Sequence, residues 1–245
     1  MRLACLVFCA AITLVLSVGA QAGVYDLKSQ WSDAANPNGV WTYREGSNAL
    51  PHVASWQSTL GGWSTAQPGW AKSENGTDRI PFFFKSNGSE TFARDFLAGD
   101  IVVHTTDSTN GVGNGKANFL WTSPETGTVD ISGGVWMGRD IDRANHWSLE
   151  KNGTLLTGGD IASGDAFSRA APFAFSAGSG GAAAVSNIPI VIGDQLTLTL
   201  SVVGSSGDFV GTNLTFTTTA VPEPAALGAA ALACAAACLR RKRGG

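Results

Sequence analysis

Between residues 23 and 221 the chain has no cysteine. Its four, Cys5, Cys9, Cys234 and Cys238, all fall in the two apolar terminal segments, where they read as small apolar side chains. A disulfide framework is excluded, and a body of this length must be held by a buried core. Positive charge is scarce too. Of 16 Lys and Arg, five (Arg2, Arg240, Arg241, Lys242 and Arg243) lie in the terminal segments, and of 19 Asp and Glu only Glu223 does. The body therefore sets 11 positive against 18 negative charges, a net of −7, with no basic residue after Arg169. Clustered cations that displace counterions from phosphates are missing, so nucleic acid is not an expected partner.

Catalytic signatures are missing as well. The three histidines, His52, His104 and His146, lie far apart, with no His-Glu-x-x-His and no cysteine partner, so a zinc site has no local support. There is no Gly-x-Ser-x-Gly nucleophile elbow. The run Gly111-Val112-Gly113-Asn114-Gly115-Lys116-Ala117 resembles a phosphate loop only faintly. Asn110 stands where its first glycine belongs and Ala117 where its metal-binding hydroxyl belongs, so it reads as a turn. A non-enzymatic protein is expected, without a required cofactor.

What is present at the N-terminus is Met1-Arg2, an apolar stretch from Leu3 to Val18, and Gly19-Ala20-Gln21-Ala22-Gly23. One positive charge, a short membrane-seeking core and a small-x-small site at Ala20 and Ala22 describe an export signal cut after Ala22. A lipoprotein signal would instead place its cysteine at the cut. Residues 1–22 are thus expected to be removed, leaving residues 23–220 as the extracytoplasmic domain and 221–245 as a tail.

The tail reads Val221, Pro222-Glu223-Pro224, an apolar run from Ala225 to Leu239, then Arg240-Arg241-Lys242-Arg243-Gly244-Gly245. The prolines stop a strand, the run can form a helix in lipid, and the basic cluster stays on the cytoplasmic side. Fifteen mostly alanine residues fall short of the roughly 20 that span a bilayer core, so a transient anchor fits better than a permanent one. The arrangement resembles the PEP-CTERM sorting signal. That resemblance implies recognition of Pro222, Glu223 and Pro224 by an exosortase-type processing protease, retention in the inner membrane through the apolar helix and Arg240, Arg241, Lys242 and Arg243, and delivery to the cell surface or extracellular matrix.

The body reads as all-β, a single antiparallel β-sandwich flanked by the signal helix and the apolar tail helix. Expected strands are 101–106, 117–122, 128–137, 147–151, 154–156, 183–192, 195–203 and 213–219. Leu196, Leu198, Leu200 and Val202 alternate with polar residues and mark one buried face, as do Leu214 and Phe216. Asn152-Gly153 is a hairpin turn. The 31 glycines and the lack of a 3.6-residue apolar repeat argue against helices. The first third is expected to be long loops and short strands packed onto the sandwich. Asn36-Pro37-Asn38-Gly39-Val40-Trp41-Thr42-Tyr43, Trp121-Thr122 with Pro124 and Gly127, Asn152-Gly153 and Gly193-Asp194 together resemble jelly-roll-like modules that accompany PEP-CTERM tails or carbohydrate-active enzymes.

Five of the eight tryptophans, Trp31, Trp41, Trp56, Trp63 and Trp70, fall in one segment with Asn and Asp nearby. Flat aromatic faces cover the apolar side of sugar rings, so these are the candidates for binding an extracellular polysaccharide, against core packing as the alternative. Asp140-Ile141-Asp142, extended, would put two carboxylates on one face. With Asp160 they are the candidates for a structural calcium, which takes several oxygen ligands. The sequence reading is an exported surface or matrix protein, with a sugar-binding or adhesive body; the alternative is a secreted hydrolase of polysaccharide or peptide.

Overall fold

The computed structural model describes residues 22–56, 62–107 and 115–221. In chain order the strands are β1 (Ala22–Asp26), β2 (Trp41–Glu45), β3 (Asn48–Ala49), β4 (His52–Trp56), β5 (Gln67–Trp70), β6 (Phe82–Lys85), β7 (Ile101–His104) and β8 (Ala117–Thr122). They continue with β9 (Gly127–Met137), β10 (Ala144–Lys151), β11 (Thr154–Ala162), β12 (Phe173–Ala174), β13 (Ile188–Ile190), β14 (Gln195–Val203) and β15 (Phe209–Ala220). Two single-turn 3-10 helices, Phe175–Ala177 and Ala182–Val185, sit between β12 and β13.

The described strands form two antiparallel sheets. One runs β12-β9-β15-β7-β6-β5-β4, with β1 also on β15 and β13 also on β9; the other runs β11-β10-β14-β8-β2-β3. The first third is therefore not laid onto a sandwich made elsewhere. β2 extends one sheet and β4 to β6 extend the other, because Trp41-Thr42-Tyr43 and Phe82-Phe83-Phe84 are aromatic and β-branched strand formers. The expected strand 183–192 is shorter: only Ile188–Ile190 pairs, with β9. Before it, Ala182–Val185 coils tightly and Asn187 takes a left-handed φ of 51° that interrupts any strand. The flanking helices expected of the signal and the tail lie outside the described residues, as does most of 111–117. No described helix is long and apolar enough to cross a membrane.

Alternation decides which side chains meet between the sheets. Leu196, Leu198 and Leu200 are fully buried there, while Val202, nearer the strand end, is only partly covered. They pack with Trp41, Tyr43, Phe119, Trp121, Trp147, Leu214 and Phe216 in the main core. β10 and β11 form the expected hairpin, turning at Asn152 and Gly153 with φ of 50° and 78°. β9 and β15 pair along their lengths, and at Gly133 any Cβ would run into the Asn213 carbonyl.

A second, smaller core lies on the other side of the first sheet. There Trp56, Phe82, Phe84, Phe96, Val102 and Phe209 are buried, with Trp63 and Phe92 packed against them. Trp56 stacks on Phe82 at 4.1 Å and 9°. Three distant segments are tied by Asp100, nearly buried, which takes ion pairs from Lys28 at 3.0 Å and from Arg169. Burial alone would raise its carboxyl; Arg169, the Leu97 amide and Lys28 outweigh that and hold it below the usual range.

Candidate functional site

Three of the five candidate tryptophans serve the interior. Trp41, Trp56 and Trp70 are 1%, 2% and 3% exposed. Each indole N–H finds an internal acceptor, Gln30 Oε1 at 2.8 Å, the Arg79 carbonyl at 2.6 Å and the Ser32 carbonyl at 2.9 Å respectively, so burial leaves no donor stranded. Trp63 is partly buried and packs edge-on against Trp56 and Phe92 in the second core. Trp31 is also partly buried, stacked on Tyr43 at 4.3 Å with its N–H held by Asp33 Oδ1. The five do not form one aromatic platform. Trp31, Trp41 and Trp70 belong to the main core and Trp56 and Trp63 to the second, on opposite faces of the same sheet.

Ala22 opens β1 opposite Thr219. Ala20, Pro222, Glu223, Pro224, Arg240, Arg241, Lys242 and Arg243 lie outside the described residues. Asp160 is on the outer face of β11, 2.7 Å from His146 Nδ1. Asp140 and Asp142 do not lie on an extended segment: they occupy the β9–β10 connection, where Asp142 takes a φ of 57°. Among the described residues no three His, Cys, Asp or Glu converge as metal ligands.

The same connection instead helps to build a cleft. At one end of the sandwich the β9–β10, β11–β12 and β14–β15 connections gather around two adjoining hollows that share Ala162 and Ser163. One, about 280 Å³, is lined by Asp142, Arg143, Val203, Ser205 and Ser206 among others. The second, about 140 Å³, is lined by Asp95, Arg139, Asp140, Asp165 and Phe167 among others. Phe167 stacks on Phe173 at 4.3 Å and 15°, and Phe173 meets buried Trp147 edge-on, so an aromatic column anchored in the core ends at the cleft.

The polar groups of the cleft are fixed by the backbone. Ser163 Oγ accepts the amides of Ile141 and Arg143, leaving its own hydrogen to give. Asp165 accepts the amides of Ala162 and Phe167, and Asp95 that of Arg169. Asp140 is exposed and makes no hydrogen bond to a described residue. Arg139 lies 4.9 Å over the Phe92 ring, its buried Nε without a partner. Arg143 donates to the Gly207 carbonyl. Next to Gly207, Asp208 is fully buried and neither carboxylate oxygen has a hydrogen-bond partner. Its desolvation, only partly countered by the charges of Arg139 and Arg143, pushes the carboxyl up to about 6.

Sequence reasoning singled out Asp140 and Asp142 but missed Arg139, Arg143, Ser163 and Phe167. One signal was available. Arg139-Asp140-Ile141-Asp142-Arg143 is a dense alternating charge cluster in a chain only 14% charged, and it joins two strands. Chemically, the cleft offers alternating donors and acceptors around one aromatic wall, as a polyhydroxylated ligand requires.

No family model matches this chain, and no curated protein matches it. Among solved structures it is similar to the xylan-binding module CBM15, at 8% identity and a TM-score of 0.33, over 83% of this chain and all of that one. It is also similar to a mutant xylanase 10C from Cellvibrio japonicus in complex with xylopentaose, at 10% identity and 0.33. A third likeness is to the CBM22-1–GH10 modules of endo-1,4-beta-D-xylanase 10B from Clostridium thermocellum complexed with xylohexaose, at 12% and 0.29. For both xylanase structures the match covers 75% of this chain but only 27% of theirs. At these scores the likeness identifies no residue of this chain.

Proposed function

We propose that the chain is an exported surface or matrix protein whose jelly-roll-like sandwich binds polysaccharide, without catalysis, in the cleft beneath Phe167. The observation that carries this reading is the convergence of a core-anchored aromatic face with Arg139, Asp140 and Ser163 in one open hollow. An aromatic face takes the apolar side of a sugar ring, while arginine, carboxylate and hydroxyl take its ring hydroxyls. Export rests on the N-terminal apolar segment with its Ala20 and Ala22 site. Processing by an exosortase-type protease, after transient anchoring in the inner membrane, rests on the Pro222-Glu223-Pro224 tail. Mass spectrometry of cell-associated and medium fractions tests this part: termini near Gly23 and Val221 are expected, and an intact Met1-to-Gly245 chain in the cytosol overturns it.

The binding part is tested by titrating plant and bacterial polysaccharides into the purified body, residues 23–221, by calorimetry and affinity electrophoresis. Retention on at least one polymer, lost in Phe167→Ala, is expected; no retention on any overturns the reading. One observation favours a second reading, a polysaccharide hydrolase: Asp95, Asp140 and Asp165 line the same hollow. Release of reducing ends, abolished in Asp140→Asn, would replace the first reading with this one.

A further inference from the structure

The two ends of the sandwich differ in a way the cleft does not explain. β15 runs from Phe209, beside the cleft, to Ala220 at the far end, and β9 runs antiparallel to it from Gly127 to Met137. At that far end the Val221 amide is held by the Thr126 carbonyl, and the Ile192 amide lies 3.4 Å from Thr126 Oγ1. Val191, Ile192 and Val221 are 54%, 62% and 59% exposed, and Pro124 is exposed beside Thr126. Charges nearby are turned inward. Asp194 is engaged by Asn152, Lys151 and the Val191 amide, which hold its carboxyl down at about 2. Glu125 takes the Tyr25 and Thr218 hydroxyls. The far end is thus an aliphatic tip whose nearby carboxylates are engaged by neighbouring side chains, in a body that is otherwise acidic.

Both membrane-seeking segments leave from this tip. β1 pairs with the C-terminal half of β15, Ala22 opposite Thr219 and Asp26 opposite Thr215, so the chain enters and exits side by side. Only Pro222, Glu223 and Pro224 separate Val221 from the apolar run that begins at Ala225. Even fully extended, the four Cα steps reach no further than ~14 Å.

From this we infer that the domain stands end-on against the membrane while its tail is inserted, with Val191, Ile192 and Val221 in the interfacial layer of the bilayer and the cleft pointing away. The inference rests on the proposed tail reading and adds to it an orientation and a lipid-contact surface. Its partner is a lipid surface met through apolar burial, because among the described residues the tip offers no free cation to attract anionic headgroups. Twelve strand residues rising ~3.3 Å each set the cleft ~35–40 Å above the lipid.

The test uses the signal-processed chain with its tail, reconstituted into phosphatidylcholine vesicles. Cys234→Ala and Cys238→Ala leave a single thiol for an environment-sensitive fluorophore, placed by Ile192→Cys or, beside the cleft, by Ser205→Cys; both sites are exposed. With a quencher attached to shallow lipid positions, quenching at 192 is expected to exceed that at 205 several-fold. Vesicle-bound protein with equal quenching at both sites, or stronger quenching at 205, overturns the orientation alone. Protein that does not stay with the vesicles overturns the tail reading and the orientation with it.

Discussion

Asp208 and His104 act on the pH dependence of this fold in opposite senses. Asp208 is wholly buried with no hydrogen-bond partner for either oxygen, and its carboxyl rises from 3.8 to about 6. The folded state therefore favours the protonated acid. Its contribution is fully favourable below pH 3.8 and is lost as pH rises through about 6. Asp208→Asn keeps the shape and removes the charge. At 1.36 kcal/mol per pKa unit it is expected to stabilise the protein by up to about 3 kcal/mol at pH 7, and not at all near pH 3.5. His104, among Trp56, Phe82 and Phe209, is pushed down from 6.5 to about 4 by burial. Its contribution is present above pH 6.5 and is lost as pH falls towards 4. The two offset, so the wild-type melting temperature is expected to change little between pH 6.5 and 4.5, while that of Asp208→Asn falls steadily. Parallel melting curves against pH for the two proteins would refute the assignment.

At the level of elements, β14 shows why the second half of the chain was legible and the first was not. Gln195-Leu196-Thr197-Leu198-Thr199-Leu200 alternates because β14 lies between β10 and β8 with one face in the core and the other towards solvent. The same mechanism made Leu214 and Phe216 readable, and Asn152-Gly153 announced its hairpin through turn chemistry. β6 gives no such pattern. Phe82, Phe83 and Phe84 are all fully buried, since one face meets the main core and the other the second core; a strand covered on both sides has no period to read. The same double covering drew Trp56 and Trp63 inside, where composition alone suggested a sugar platform. Ala183 to Asn187 misled in the opposite sense: an apolar run continuous with Ile188–Ile190 in sequence breaks at a left-handed asparagine. β14 also supplies a quantitative check. Leu198 is fully buried with paired strands on both sides, so Leu198→Ala should cost about 2–5 kcal/mol in chemical denaturation. Thr199→Ala, pointing away from the core, should stay within about 0.5 kcal/mol. Comparable losses at both positions would mean that the outer face of this sheet is also covered.

Across the whole molecule, the two tasks proposed for the chain sit at opposite ends of the same strands. The cleft residues Arg139, Asp140 and Phe167 follow the C-terminal ends of β9 and β11, and Ser205 and Ser206 follow that of β14, whereas the chain exits beside the start of β9 and the end of β15. The charge cluster of the cleft was visible in sequence, but its meeting with Phe167 was not. Phe167 approaches through a turn held by Asp165 and a stack on Phe173, and neither is encoded by spacing. Ligand binding and anchoring are therefore expected to be separable. Phe167→Ala should lower polysaccharide affinity at least tenfold, about 1.4 kcal/mol, by removing the ring that covers the sugar face. It should leave vesicle association of the tailed chain unchanged. Ile192→Asp should do the reverse, weakening contact of the tip with lipid while calorimetric affinity for the polymer stays at the wild-type value. The sites are joined by the continuous β9–β15 ladder and share no residue, so a shift of sugar affinity in Ile192→Asp would show that the ends communicate and that the two-ended arrangement fails.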